Sequence, residues 1–256
     1  MSVSDWSDRR AKNQAIGACS VYRCRCRNGA PTHPESSVTT PQGHNAGSAD
    51  DADGWDQLET FQGSLEIEGD YDRLAFRKVD LTAQDGEGAH FEDCVLIDCT
   101  LDEVRLHHAR ILETTLTGSH ATTLELLGAT LRDVTFADCR IGALASPGSK
   151  WTQVSVRGGK LDYINLREAQ LDSVKFEDCS IGELDLSGAT VTRLVILGCR
   201  VGQLTLTRAQ LKDTDLRGAE LSSVTGLTEL AGATITNVQL HDLAPAIAAH
   251  LQITVD

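Results

Sequence analysis

LDYIN LREAQ LDSVK FEDCS IGELD L, residues 161–186, carries a large apolar residue at every fifth position: Leu161, Leu166, Leu171, Phe176, Ile181 and Leu186. The same phase extends back to Phe76 and forward to Leu221, and of its 30 positions 27 are large and apolar; the exceptions are Gly86, Ala121 and Ser146. An α-helix repeats its buried face every 3.6 residues and a strand every 2, so neither sustains a period of five. The chain must instead turn a corner in each pentad.

A second pattern lies two residues ahead of each large one. From residue 109 onward it alternates between small residues (Ala169, Cys179, Ala189, Cys199) and mostly branched ones (Val174, Leu184, Leu194). An alternation of ten within a coil of four pentads gives opposite faces the same filling, which predicts a square cross-section. Runs such as Ala209-Gln210-Leu211-Lys212-Asp213, Ala219-Glu220-Leu221-Ser222-Ser223 and Cys179-Ser180-Ile181-Gly182-Glu183 resemble the A(D/N)LXX unit of the pentapeptide-repeat family. The resemblance covers about residues 74–240. It implies an all-β fold, a right-handed quadrilateral parallel β-helix with about 20 residues per coil. At about 4.8 Å between stacked backbones, the 30 pentads make a rod about 36 Å long. Asp or Asn seldom precedes the large residue here, where Thr, Arg, Lys and Gln also occur.

Four segments are expected: a disordered low-complexity tail over 1–54, an N-terminal cap over 55–73, the repeat β-helix over 74–240, and a C-terminal cap with a short helix over 241–256. The tail holds Pro31, Pro34 and Pro41 among Ser, Thr, Gly and Asn, without an apolar period. Its Cys19, Cys24 and Cys26 lack the paired spacing of a zinc site. The apolar run before Cys19 is too short for a secretory signal, so a cytoplasmic location is expected. Trp55, Leu58, Phe61, Leu65, Ile67 and Tyr71 are available to close one end of the rod. At the other, Leu230, Ile235 and Leu240 fall one residue early, with Gly226 at the slip. Leu243, Ile247 and Leu251 then share a helix face, with Asp242 as the expected N-cap and Pro245 in the first turn. Dimerisation through an end cap is the other way to cover an exposed cross-section.

Composition narrows function more than it names it. The 256 residues hold 23 basic and 37 acidic side chains, a net charge of −14 that opposes direct nucleic-acid binding. No run reaches the 18 apolar residues of a membrane span. His107-His108, Asp102-Glu103 and Glu177-Asp178 are read as solvated surface, and Arg157-Gly158-Gly159-Lys160 lacks the spacing of a phosphate-binding loop. Thr115-x-Thr117, Thr190-x-Thr192 and Thr205-x-Thr207 fall on three different faces, so no threonine array forms. No catalytic, cofactor or metal site is expected.

The reading is a non-enzymatic scaffold that presents a rigid surface to an unknown protein partner. The family resemblance implies an alternative, protection or inhibition of DNA gyrase by a rod that imitates duplex DNA. Charge is unevenly placed for that role: residues 51–89 hold 11 acids and 3 bases, whereas residues 90–222 hold 19 and 14. The candidate partner surface is one face carrying Val95 and Ile97, Val195 and Leu197 five coils away, and the acids Asp138, Glu177 and Asp178. The repeat cysteines Cys94, Cys99, Cys139, Cys179 and Cys199 occupy inward positions and are expected to be buried free thiols.

Overall fold

The computed structural model describes residues 55–255, and the tail with its three cysteines lies outside them. Short parallel strands stack into a single solenoid in which residue i pairs with residue i+20. One face runs Phe76, Leu96, Leu116, Phe136, Val156, Phe176 and Ile196. Four pentads therefore make one coil, as the square cross-section requires. Each inward side chain stacks directly on its counterpart in the next coil. Every position of the five-residue series is buried except Leu211 and Leu221, which are half-buried near the upper end.

Corners are made by the residue two places after each large one. Lys78, Asp98, Asp138 and Asp178 have left-handed backbone, with φ of 53°, 52°, 53° and 54°, and Gly118, Gly158 and Gly198 alternate with the aspartates at 61°, 63° and 65°. The alternation has a packing reason. A Cβ on Gly158 would sit 2.2 Å from Asp138 Oδ1, so each carboxylate lies over the neighbouring glycine. One of the four corners behaves differently. Ala83 and Glu103 are left-handed there, but from Thr123 upward the chain runs through in extended strands, His120–Glu125, Arg140–Ala145, Lys160–Asn165 and Ser180–Asp185. The change coincides with a β-branched residue, for which positive φ is strongly disfavoured. Coils above it keep the same shape because they stack in register.

Two exceptions to the apolar series are explained by their neighbours. Ser146 is fully buried, and its Oγ accepts a hydrogen bond from Trp151 Nε1 at 3.1 Å. A buried indole N–H needs an acceptor, and the preceding inward position supplies it. At Gly86 a Cβ would lie 2.9 Å from Leu106 Cδ2, so the side chain of the next coil occupies that space.

The N-terminal end is closed by aromatic rings. Phe61 stacks on Phe76 at 4.2 Å and Tyr71 on Phe91 at 4.8 Å, while Phe61 meets Tyr71 edge-on at 5.7 Å. Leu65 is buried beside them; Ile67, also expected in this cap, is exposed because it lies outside the ring cluster. At the other end the register drops by one residue: Thr205 still pairs with Thr225, but Thr214 pairs with Ala233 and Asp215 with Thr234. The slip falls at Gly226, whose φ is 81°. Leu230 and Ile235 pack on the core, whereas Leu240 is exposed.

The helix spans Asn237–His250 and starts earlier than expected. Its N-cap is Thr236, not Asp242, in a reciprocal capping box with Gln239. Pro245 consequently lies inside the helix rather than in its first turn. Leu243 is buried and Ile247 packs against the core, but Leu251 projects into solvent past the end of the helix.

Two measurements test this packing. Phe136→Ala or Phe176→Ala, each removing a buried ring from the axis, should cost about 3–5 kcal/mol in denaturant unfolding; equal stability to the parent would refute the stacking. The five repeat cysteines are buried free thiols, and burial pushes those of Cys94 and Cys139 up to about 11. Since thiolate is the reactive form, a thiol reagent at neutral pH should reach these five only after denaturation.

Candidate interaction surface

The face built on Phe76 to Ile196 brings the sequence-predicted residues together. The positions flanking the inward column are, on one side, Ala75, Val95, Thr115, Thr135, Ser155, Lys175 and Val195, of which Ala75, Val95, Thr135 and Ser155 are buried, and on the other, more exposed side, Arg77, Ile97, Thr117, Ala137, Arg157, Glu177 and Leu197. Between the two apolar doublets runs a strip of small, uncharged side chains, Thr115, Thr117, Thr135, Ala137 and Ser155, followed by the charged Arg157, Lys175 and Glu177. In-register stacking flattens such a strip, because each side chain projects from the same height as its neighbours.

The doublets differ in exposure. Val95 is buried, Ile97 and Val195 are half-buried, and Leu197 is 40% exposed. Leu197 also marks a bulge, since Val195 pairs with Asp215 but Leu197 with Gly218. A Cβ on Gly218 would come within 2.7 Å of Leu197 Cδ1, so the glycine lets that side chain lie across the next coil. Of the three acids, Asp138 and Asp178 stand at the adjoining corner, and Glu177 meets Lys175 at 2.8 Å between Oε1 and Nζ.

Several charged groups elsewhere on the rod are engaged across coils. Arg105 meets Asp85 at 2.9 Å, Arg193 meets Asp172, and Asp102 Oδ1 accepts from the backbone N–H of Thr122 at 2.6 Å. His107, expected to stand free in solvent, contacts Glu125 at 2.6 Å. Among the described residues no group of three or more His, Cys, Asp or Glu is placed to hold a metal ion. Nor is any of their helices long and apolar enough to cross a membrane.

Asp185 is the acid that sequence reasoning missed. It is completely buried, accepts from Ser187 N and Oγ at 2.9 and 2.6 Å, and pairs with Arg167 Nε at 2.6 Å. Burial pushes its pKa up, but the bonds from Ser187 and Arg167 outweigh that and hold it below the usual carboxylate range. A depressed folded-state pKa gives stability that is full above the unfolded value of about 4 and is lost as pH falls through the lower folded value. Asp185→Asn should therefore cost about 1.5–3 kcal/mol near neutral pH and make the acid limb of the stability curve shallower.

Residues 89–166 match the family described as pentapeptide repeat region. No curated protein matches the chain. HetL and QnrB1 are among the solved structures that align with it, both at low identity and low TM-score. HetL, a pentapeptide repeat protein involved in heterocyst differentiation regulation from the cyanobacterium Nostoc sp. strain PCC 7120, is 18% identical, with 68% of this chain and 93% of that one covered and a TM-score of 0.24. QnrB1, a plasmid-mediated fluoroquinolone resistance protein, is 14% identical, with 77% and 96% covered and a TM-score of 0.24. Residues 89–166 are thus a pentapeptide repeat region, and the five-residue coils continue on both sides of it.

Proposed function

We propose that the chain is a non-enzymatic scaffold that acts by presenting a rigid, flat face to another protein. One observation carries this reading: the face from Ala75 to Leu197 stacks in register over seven strands, with the small, half-buried Thr117 and Ala137 between Ile97 and the charged Arg157 and Glu177. A surface of that kind comes pre-ordered, so a partner need not be compensated for the entropy of arranging it. Some of the charge on the rod is paired internally, as Arg105 is with Asp85, Lys175 with Glu177 and Arg193 with Asp172. Five free thiols in the core suit a compartment that keeps cysteine reduced, and the cytoplasm is the proposed location.

A duplex-mimicking inhibitor of DNA gyrase is the competing reading, and the net charge of −14 favours it. Cross-coil ion pairs weaken it, since a phosphate-like surface needs unopposed negative charge along the rod.

The two readings separate in one set of measurements. Purified protein should leave gyrase supercoiling unchanged with and without quinolone; inhibition or quinolone protection would move the assignment to gyrase. A partner retained by the parent from native lysate should be lost with Ile97→Ser combined with Leu197→Ser. Charge reversal at Asp138, Glu177 and Asp178 should weaken it in a salt-dependent way. Retention of that partner by the apolar double variant would place the interface elsewhere.

A further inference from the structure

One column of small inward residues holds two thiols in neighbouring coils. Read upward at intervals of twenty, it runs Cys99, Ser119, Cys139, Gly159, Cys179, Cys199 and Ala219, so Cys179 and Cys199 are its one pair of cysteines a single coil apart. Lower thiols of the column bond to backbone beneath their corners: Cys99 Sγ donates to Phe76 O at 3.3 Å and Cys139 Sγ to Leu116 O at 3.6 Å, and Cys179 Sγ likewise reaches Val156 O at 3.4 Å. Cys199 is placed differently. Its Sγ accepts from the backbone N–H of Cys179 at 3.3 Å, and the two thiols are hydrogen-bonded to each other.

The column shows how that contact arises. Lower down, the N–H of Cys99 donates to Ser119 Oγ at 3.1 Å, so the corner aims this N–H at the side chain that stands in the coil above. Above Cys179 stands a sulfur. Donors aimed at a sulfur stabilise its thiolate, and the bond from Cys179 lowers the pKa of Cys199 although burial raises it. The same bond, and burial after it, push Cys179 up. The pair is unequal, with Cys199 the more acidic member.

Stacked backbones about 4.8 Å apart also fall inside the Cα separation of about 4.4–6.8 Å that a disulfide requires. Above Cys199 the ladder is interrupted, since the register shifts between Leu197 and Arg200 against the next strand, and a bulge disrupts pairing locally. Hydrogen peroxide is close to water in size, so it enters where a larger thiol reagent does not. We propose that Cys179 and Cys199 are a peroxide-oxidised pair in which Cys199 reacts first and Cys179 resolves the product. The Cys199 thiolate attacks one peroxide oxygen, the O–O bond breaks, and the sulfur becomes a sulfenic acid while hydroxide leaves and takes up the proton that Cys199 had shed. Cys179 then attacks that sulfur; the S–S bond forms, and the thiol proton leaves with the sulfenic hydroxyl as water. Two electrons pass from the pair to the peroxide, and a dithiol reductant restores both thiols by exchange.

Mass spectrometry of the full chain, reduced and then exposed to hydrogen peroxide while folded, tests the pair. After alkylation in denaturant, trypsin separates Phe176–Arg193, which holds Cys179, from Leu194–Arg200, which holds Cys199, so the expected bond is read as these two peptides joined and lighter by two hydrogens. In Cys179→Ser, Cys199 should instead be trapped by dimedone as the sulfenic acid; in Cys199→Ser, Cys179 should stay reduced. Serine fits the column, since Ser119 is buried in it. Cys94, Cys99 and Cys139, with no cysteine one coil away, should remain unoxidised in every sample. Recovery of the two peptides separate and alkylated from the peroxide-treated parent overturns the pair. Joining in which Cys94, Cys99 or Cys139 takes equal part overturns it as well, because that is the pattern of an unfolded chain. Oxidation of Cys179 in Cys199→Ser overturns the order of attack.

Discussion

Stacking in register is the constraint on which the rest of this molecule depends. Each coil offers its neighbours a full set of backbone donors and acceptors, and they pair only if every coil contains the same number of residues and turns at the same places. An inward residue at every fifth position follows from that requirement, as do the left-handed corners. Where one coil departs, its neighbours must accommodate it: Gly218 accepts Leu197 across a bulge, and Gly158 leaves room for Asp138. Nearest-neighbour contacts of this kind make stability a sum over coils and interfaces between them.

The same constraint governs how polar groups are used. Some outward acids that look available for chemistry are bonded to neighbouring coils, as Asp102 is to the Thr122 N–H and Asp85 to Arg105. Asp185 carries this furthest, since its carboxylate is wholly buried and held ionised by Ser187 and Arg167. Part of the charge on such a rod joins coils. A net charge therefore says little about what the surface shows to a partner.

Solenoids resolve their interior more easily than their ends. The lower end is closed by stacked rings from Phe61, Tyr71, Phe76 and Phe91, which fill a cross-section without needing further backbone pairing. At the upper end a one-residue slip at Gly226 redirects the chain into a helix, and Gln239 covers only part of the exposed edge. Unpaired strand edges are sites where other chains add. The upper end is thus the part of the rod whose surface is unfinished.

By itself the sequence determined the coil length, the inward register, the buried thiols and the slip at Gly226, because each follows from a spacing that one physical requirement imposes on every coil. It also placed Val95, Ile97, Val195 and Leu197 on a common face. Only the tertiary structure decided which of them is exposed, that Thr236 rather than Asp242 caps the helix, and that Ile67 and Leu240 face solvent. It alone showed why Ser146 stands in an apolar series, through its bond to Trp151, and that Asp185 is buried. Periodicity specifies where a side chain points within a coil. What that side chain meets depends on which residues stand above and below it, twenty positions away, and the period does not fix their identity.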